Sequence, residues 1–371
     1  MSELSDKLIA WYDANRRTLP WREDPTPYHV WVSEIMLQQT RVEAVKGYYS
    51  RFLSSFPDVC SLASADEEVL LKLWQGLGYY SRARNLQKAA KQLVQENGGR
   101  LPDTTEELQH LPGIGAYTAG AIASIAFGKP VIAPDGNAYR IFARLLQEEG
   151  FIEDRDTKER LEAEMRLMLD IHRPGAFNQA LMDLGSLICI AKGRLLCAEC
   201  PLRGFCALAG REDAAQYPKR RPKRKRRIEK KTVLLLQKKD RLLLHKQPET
   251  GLLAGLWLFP MVEGHLRPEE VSACLMRYGI PQETIQEICA MDPATHVFSH
   301  LEWHMIGYHV TLRRTKKLTR EAQEVLFADA DGVREIQDGM TDVANAVWAD
   351  PDEIATRYAI PAAHRPFFVE W

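Results

Sequence analysis

Leu111-Pro112-Gly113-Ile114-Gly115 stands between two stretches of helical spacing, Thr105 to Leu111 and Thr118 to Phe127. Glycine lets a backbone turn tightly and approach another group closely. The helix that follows offers unpaired N–H groups and the positive end of its dipole. Two helices joined in this way make a helix-hairpin-helix, which grips a DNA backbone, here at Gly113 and Gly115, without reading base sequence. A plain helical corner has the same pattern, so the glycines alone leave both readings open.

Working outward, Glu3 to Asn15, Tyr28 to Phe52, Ala138 to Leu146, Thr157 to Asp170 and Asn178 to Ile188 also carry apolar residues at helical spacing. Phe56-Pro57, Gly98-Gly99 and Pro174-Gly175 punctuate them. No strand is expected before residue 215. The run Lys219 to Lys231 then holds ten Lys or Arg and one Glu, a local charge of +9 in a chain whose net charge is −1. Too polar for a core, it reads as a linker, either merely solvated or able to bind phosphate locally. Beyond it, Thr232 to Leu236 and Arg241 to His245 flank Lys238-Lys239-Asp240 as a hairpin. Glu302 to Leu312 suits a half-exposed strand, and Arg267 to Tyr278 and Pro351 to Tyr358 suit helices. The expected fold class is multidomain: an all-α domain over 1–216, a basic linker over 217–231 and an α+β domain over 232–371.

A length of 371 residues agrees with two domains. At 45% hydrophobic and 27% charged, the chain is neither disordered nor collagen-like. No stretch approaches the roughly 20 apolar residues of a membrane helix. Met1 to Lys7 mixes both charges, unlike a secretory signal. A cytoplasmic monomer with no membrane association is expected.

Three groups carry chemistry. Cys189, Cys197, Cys200 and Cys206 follow a C-x7-C-x2-C-x5-C pattern, which in a cytosolic chain points to a metal before disulfides. The short spacing favours one [4Fe–4S] cluster over zinc. Lys192, Arg194 and Arg203 make this loop a second candidate DNA contact. Glu34 sits among apolar neighbours on its helix, where a carboxyl takes a raised pKa and can donate a proton. Asp135 precedes a helix, whose N-terminus favours an anion. One protonated acid with one anion suits cleavage of a glycosidic bond. Taken singly, Glu34 reads better as an ordinary surface helix residue and Asp135 as a helix cap.

Together, the hairpin motif, the Asp 20 residues after Gly115 and the cysteine cluster resemble the helix-hairpin-helix DNA glycosylase superfamily, including endonuclease III. Lyase-active members carry a Lys two residues after the second glycine. Tyr117 stands there, so the resemblance implies a monofunctional enzyme without a Schiff base. Trp31-Val32-Ser33-Glu34-Ile35-Met36-Leu37-Gln38-Gln39-Thr40, Gly76-Leu77-Gly78-Tyr79-Tyr80 and Phe177-Asn178-Gln179-Ala180 are similar to signatures of the MutY family, which removes adenine mispaired with 8-oxoguanine.

That resemblance implies that Glu34 is the catalytic acid and Asp135 the carboxylate facing the sugar, with Tyr117 and Asn137 beside them. It places Trp21, Arg22, Leu37 and Gln179 around the adenine, and Gln39, Thr40 and Tyr79 on the DNA. Its substrate would be duplex DNA with an adenine:8-oxoguanine or adenine:guanine mispair. The family spaces its first two cluster cysteines by six residues; here there are seven.

Val233-Leu234-Leu235-Leu236, Leu242-Leu243-Leu244 and Gly255-Leu256-Trp257-Leu258-Phe259-Pro260 resemble the opening of a Nudix, or MutT-like, domain. The Arg-Glu-x-x-Glu-Glu metal-binding stretch of a Nudix hydrolase does not follow, which argues against hydrolase activity. Phe298-Ser299-His300 matches the loop by which MutY C-terminal domains recognise 8-oxoguanine. The alternatives are an endonuclease III-like enzyme acting on oxidised pyrimidines and a non-catalytic DNA-damage binding protein.

Overall fold

The computed structural model describes residues 3–222, 225–277, 280–313 and 346–368. Two compact units emerge, Met1–Ala65 with Arg84–Lys223 and Asp66–Ala83 with Arg224–Trp371. Among the described residues no helix is long and apolar enough to cross a membrane.

In chain order the helices before the basic run are α1 (Glu3–Asn15), α2 (Pro20–Glu23), α3 (Pro27–Leu37), α4 (Val42–Ser55), α5 (Val59–Ser64), α6 (Glu67–Trp74), α7 (Ser81–Asn97), α8 (Thr105–Gln109), α9 (Ala116–Ala126), α10 (Gly136–Leu145), α11 (Arg155–Met168) and α12 (Pro174–Leu187). The single helix expected over Tyr28 to Phe52 is two. Gln39, with φ of 57°, takes a left-handed conformation that an α-helix cannot contain, and the chain turns between α3 and α4. Helices α5 to α7 fall where sequence spacing assigns no element. The buried face of α7 is Ala83, Leu86, Ala89, Ala90 and Leu93, and alanine contributes little to an apolar pattern.

The first unit is held by apolar stripes. Leu8 and Tyr12 of α1, Phe142 of α10, Leu161 of α11, and Phe177 and Leu184 of α12 share one core. Helix α9 buries Ala119, Gly120, Ala121 and Ala123 and packs on α3 and α12; its small side chains allow close helix approach. The helix-hairpin-helix forms as α8 and α9. Only Gly113 of its glycines needs positive φ (81°), and an added Cβ there would lie 2.8 Å from Asn85 Cβ. Gly115 has an ordinary φ of −91° and caps α9; an added Cβ would meet nothing within 4 Å.

In the second unit the basic run does not remain a linker. From Arg227 it is strand β1 (Arg227–Lys238), because β6 (Leu301–Leu312) pairs with it in parallel along all twelve residues. Lys223 and Arg224 lie outside the described residues. The remaining strands are β2 (Arg241–Lys246), β3 (Trp257–Leu258), β4 (Met261–Glu263), β5 (Ile285–Val297) and β7 (Ala346–Ala349). The sheet order is β3-β2-β1-β6-β5, with β4 also on β1 and β7 on β2. The expected β1–β2 hairpin is present, turning through Lys239 at φ 58°. Alternate residues of β1 serve opposite faces. Val233 and Leu235 join a core with α14 (Pro351–Thr356), while Leu234 and Leu236 join one with α13 (Pro268–Arg277). Cover on both faces explains why four consecutive residues are apolar. Tyr278, the expected end of α13, lies outside the described residues.

Candidate active site

Helix α3 starts where Thr26 caps His29 N–H and Pro27 presets the first turn. It buries nearly every side from Val30 to Met36, and so carries Glu34 inside, only 5% exposed. The Tyr117 hydroxyl, from the first turn of α9, donates to Glu34 Oε2 at 2.6 Å. Burial pushes the Glu34 carboxyl up to about 7; the Tyr117 hydrogen bond opposes this, the charge of Asp135 adds to it, and Arg22 opposes it. Tyr117 itself is held protonated, since burial and the neighbouring Glu34 disfavour its anion.

Asp135 caps α10. It accepts hydrogen bonds from Asn137 N–H (2.9 Å), Ala138 N–H (2.7 Å) and Asn137 Nδ2 (2.6 Å). These bonds favour the ionised form, as the sequence suggests, but burial outweighs them and its carboxyl lies above the ordinary range. Asn178, in the Phe177–Ala180 motif, fixes the approach to Asp135. It donates to Ser124 Oγ and Val131 O and accepts from Ala133 N–H. Arg140 Nη2 donates to Asn137 Oδ1 (2.8 Å), and Arg140 Nε to the carbonyl of Cys189 (2.9 Å).

Beside Glu34 lies a cavity lined among others by Arg17, Trp21, Arg22, Leu37 and Gln179. The four pocket residues named from sequence therefore meet around Glu34. Arg17 and Asp183 were missed. Asp183 is fully buried and accepts from Arg17 N–H (3.1 Å), Arg17 Nε (2.7 Å), Arg22 Nη1 (2.7 Å) and Arg22 Nη2 (3.0 Å). Two guanidinium groups hold its carboxyl below the ordinary range despite burial. The available signal was its position one helical turn after Gln179; its partners lie more than 160 residues away.

The other residues named from sequence are not among those lining this cavity. Gln39 is exposed in the α3–α4 turn, beside Thr40, whose hydroxyl donates to Gln38 O. Tyr79 is exposed with φ of 47°, a strained conformation for a tyrosine. Phe298, Ser299 and His300 form the turn between β5 and β6, closed by Phe298 N–H to Leu301 O at 2.9 Å.

Cys189, Cys197, Cys200 and Cys206 all line one cavity in the first unit. The longer first spacing does not exclude Cys189, whose Sγ accepts from buried Arg144 Nη1 at 3.1 Å. Burial pushes the Cys200 thiol up to about 11 and also raises Cys206. Four thiolates in so apolar a space need a compensating cation, a donor set that fits a multi-iron cluster. Among the described residues, no group of His, Cys, Asp or Glu side chains closes on a single metal ion.

Residues 32–167 match the HhH-GPD superfamily base excision DNA repair protein model, and residues 232–370 match the NUDIX domain model. The chain is 36% identical to the adenine DNA glycosylase of Mus musculus over 366 residues, covering 82% of this chain and 70% of that one. It is 32% identical to that of Buchnera aphidicola, covering 90% and 94%. The chain belongs to the adenine DNA glycosylase family. As a DNA glycosylase it hydrolyses N-glycosyl bonds of DNA in base excision repair. Within this adenine DNA glycosylase family member, Tyr117 occupies the hairpin position where lyases place their amine, and no lysine is among the residues lining the Glu34 cavity.

Proposed function

We propose that this protein excises adenine mispaired with 8-oxoguanine or guanine and leaves an abasic site. The observation that carries the reading is the Glu34 carboxyl, protonated to about pH 7 at the wall of a cavity it shares with Trp21, Arg22, Leu37 and Gln179. The adenine must leave the duplex to reach it. Trp21 and Leu37 then offer apolar surface, and Arg22 and Gln179 polar contacts. Glu34 donates its proton to N7 of the base, so that the C1′–N9 bond breaks toward a neutral leaving group. The cradle of hydrogen bonds around Asp135 favours its anion, which stabilises the cationic sugar until water adds. Gln39 and Tyr79 wedge the duplex and help to offset the few kcal/mol of base extrusion. Gly113 and Gly115 hold the backbone, and Phe298, Ser299 and His300 read 8-oxoguanine.

Cys189, Cys197, Cys200 and Cys206 would hold a [4Fe–4S] cluster. When bound, it supplies a rigid cross-link among four sulfurs, which orders the loop carrying Lys192, Arg194 and Arg203. We place the protein as a monomer on duplex DNA.

The test is single-turnover incubation with duplexes containing adenine opposite 8-oxoguanine, adenine opposite thymine, or an oxidised pyrimidine. Cleavage at the mispaired adenine, only after alkali and without borohydride trapping, is expected. Borohydride trapping on the pyrimidine lesion would favour an endonuclease III-like enzyme instead.

A further inference from the structure

Residues Asp66–Ala83 interrupt the helical unit in sequence but pack with the β-sheet unit. The attachment is specific. Lys72 of α6 is half-buried, and its ammonium donates to the carbonyls of Ile354 and Tyr358, each at 2.9 Å. Ile354 lies in the last turn of α14, a six-residue helix whose last carbonyls lack intrahelical partners and whose dipole favours a cation there, and Tyr358 follows its C-cap Arg357. One turn earlier, Glu68 meets Lys246 Nζ at 3.2 Å and Arg357 Nε at 3.8 Å.

Both ends of this attachment lead to residues on the DNA side of the proposed function. Toward Tyr79, Trp74 Nε1 donates to Gly78 O (3.1 Å), and Arg82 Nη2 donates to Leu77 O and Gly78 O (3.0 Å each). The Arg82 guanidinium lies 5.7 Å from the Tyr79 ring centre. Toward the β5–β6 turn, the side chains of Ile354 and Tyr358 belong to the core on which Phe298 packs, and Phe298 meets Trp303 edge-on at 4.9 Å.

We propose that Lys72 is a positioning residue for mispair discrimination: it fastens the segment carrying Tyr79 to the core that carries Phe298, so that wedge and reading loop engage DNA as one body. This rests on the roles given to Tyr79 and Phe298 above.

The test uses the full chain and single-turnover excision from duplexes with adenine opposite 8-oxoguanine and opposite guanine. Lys72→Met removes two charge-assisted hydrogen bonds and should shrink the 8-oxoguanine preference roughly tenfold, with excision opposite guanine little changed. Phe298→Ala with Ser299→Ala should shrink it similarly, and the triple variant no further, because the residues act through one path. Glu68→Gln, which removes the second tether, gives a smaller loss in the same direction and serves if Lys72→Met does not fold. Loss of preference in the Phe298/Ser299 variant with none in Lys72→Met or Glu68→Gln overturns the positioning role alone. No loss in any variant overturns the reading role of the loop as well.

Discussion

The Tyr117 hydroxyl donates to Glu34 Oε2 across 2.6 Å, tying the first turn of the hairpin's second helix to the buried face of α3. The bond ties the helix-hairpin-helix to the carboxyl proposed as the proton donor. It also moderates that donor, since a hydrogen bond to a carboxylate favours ionisation while burial opposes it.

Tyr117→Phe should therefore raise the Glu34 pKa further. In the proposed mechanism excision needs the protonated acid, so the wild-type rate should fall above about pH 7. In the variant that falling limb should move upward by up to about one pH unit. Single-turnover rates between pH 5 and 9 check this; an unmoved limb would mean that another group titrates.

Glu34→Gln should slow excision by roughly 10²–10⁴-fold while leaving DNA binding largely intact. The same change should stabilise the fold at alkaline pH. With a folded pKa near 7 against 4.5 unfolded, the native state holds the extra proton between those values, so wild-type stability falls as pH rises through that window. The neutral glutamine escapes a cost of about 3 kcal/mol at pH 8 and gains nothing at pH 4. Thermal melts of both proteins at the two pH values would show it, and an equal difference at both would contradict the buried acid.

Gly185→Ala tests the support of Asp135. An added Cβ at Gly185 would lie 2.5 Å from Asn137 Cβ, and Asn137 holds Asp135 through two hydrogen bonds. Overpacking of this kind costs about 1–3 kcal/mol. Excision should fall more than the melting temperature alone explains, measured well below the melt. Full activity in the variant would show that Asn137 need not stay in place.

Protein purified without oxygen should be brown and carry four irons per chain. Cys189→Ser should lower iron retention, because Cys189 lines the same cavity as the other three. Cys60→Ser, at an exposed cysteine, should leave it unchanged. One zinc per chain without iron would reject the cluster.

Much of this molecule is legible locally. The LPGIG turn, the short apolar runs of β1 and β2 and the close cysteine spacing each depend on residues within one element of each other, so spacing alone carries them. The chain break at Gln39 was hidden, because neither Gly nor Pro marks it. Helix α7 was hidden behind alanines, and the charged start of β1 passed for linker because its pairing partner β6 begins 74 residues later.

The sequence by itself determined which chemical groups are present: an acid among apolar neighbours, a capping aspartate, four clustered thiols and a tyrosine in place of an amine. Only the tertiary structure decided what those groups can do. Glu34 becomes a neutral-pH acid through burial by α3 and α9 and through the nearby charge of Asp135. The cavity has its shape because Asp183 draws Arg17 and Arg22 together from more than 160 residues away. Proton affinity and cavity geometry depend on desolvation and on charges brought close in space, and neither is set by distance along the chain.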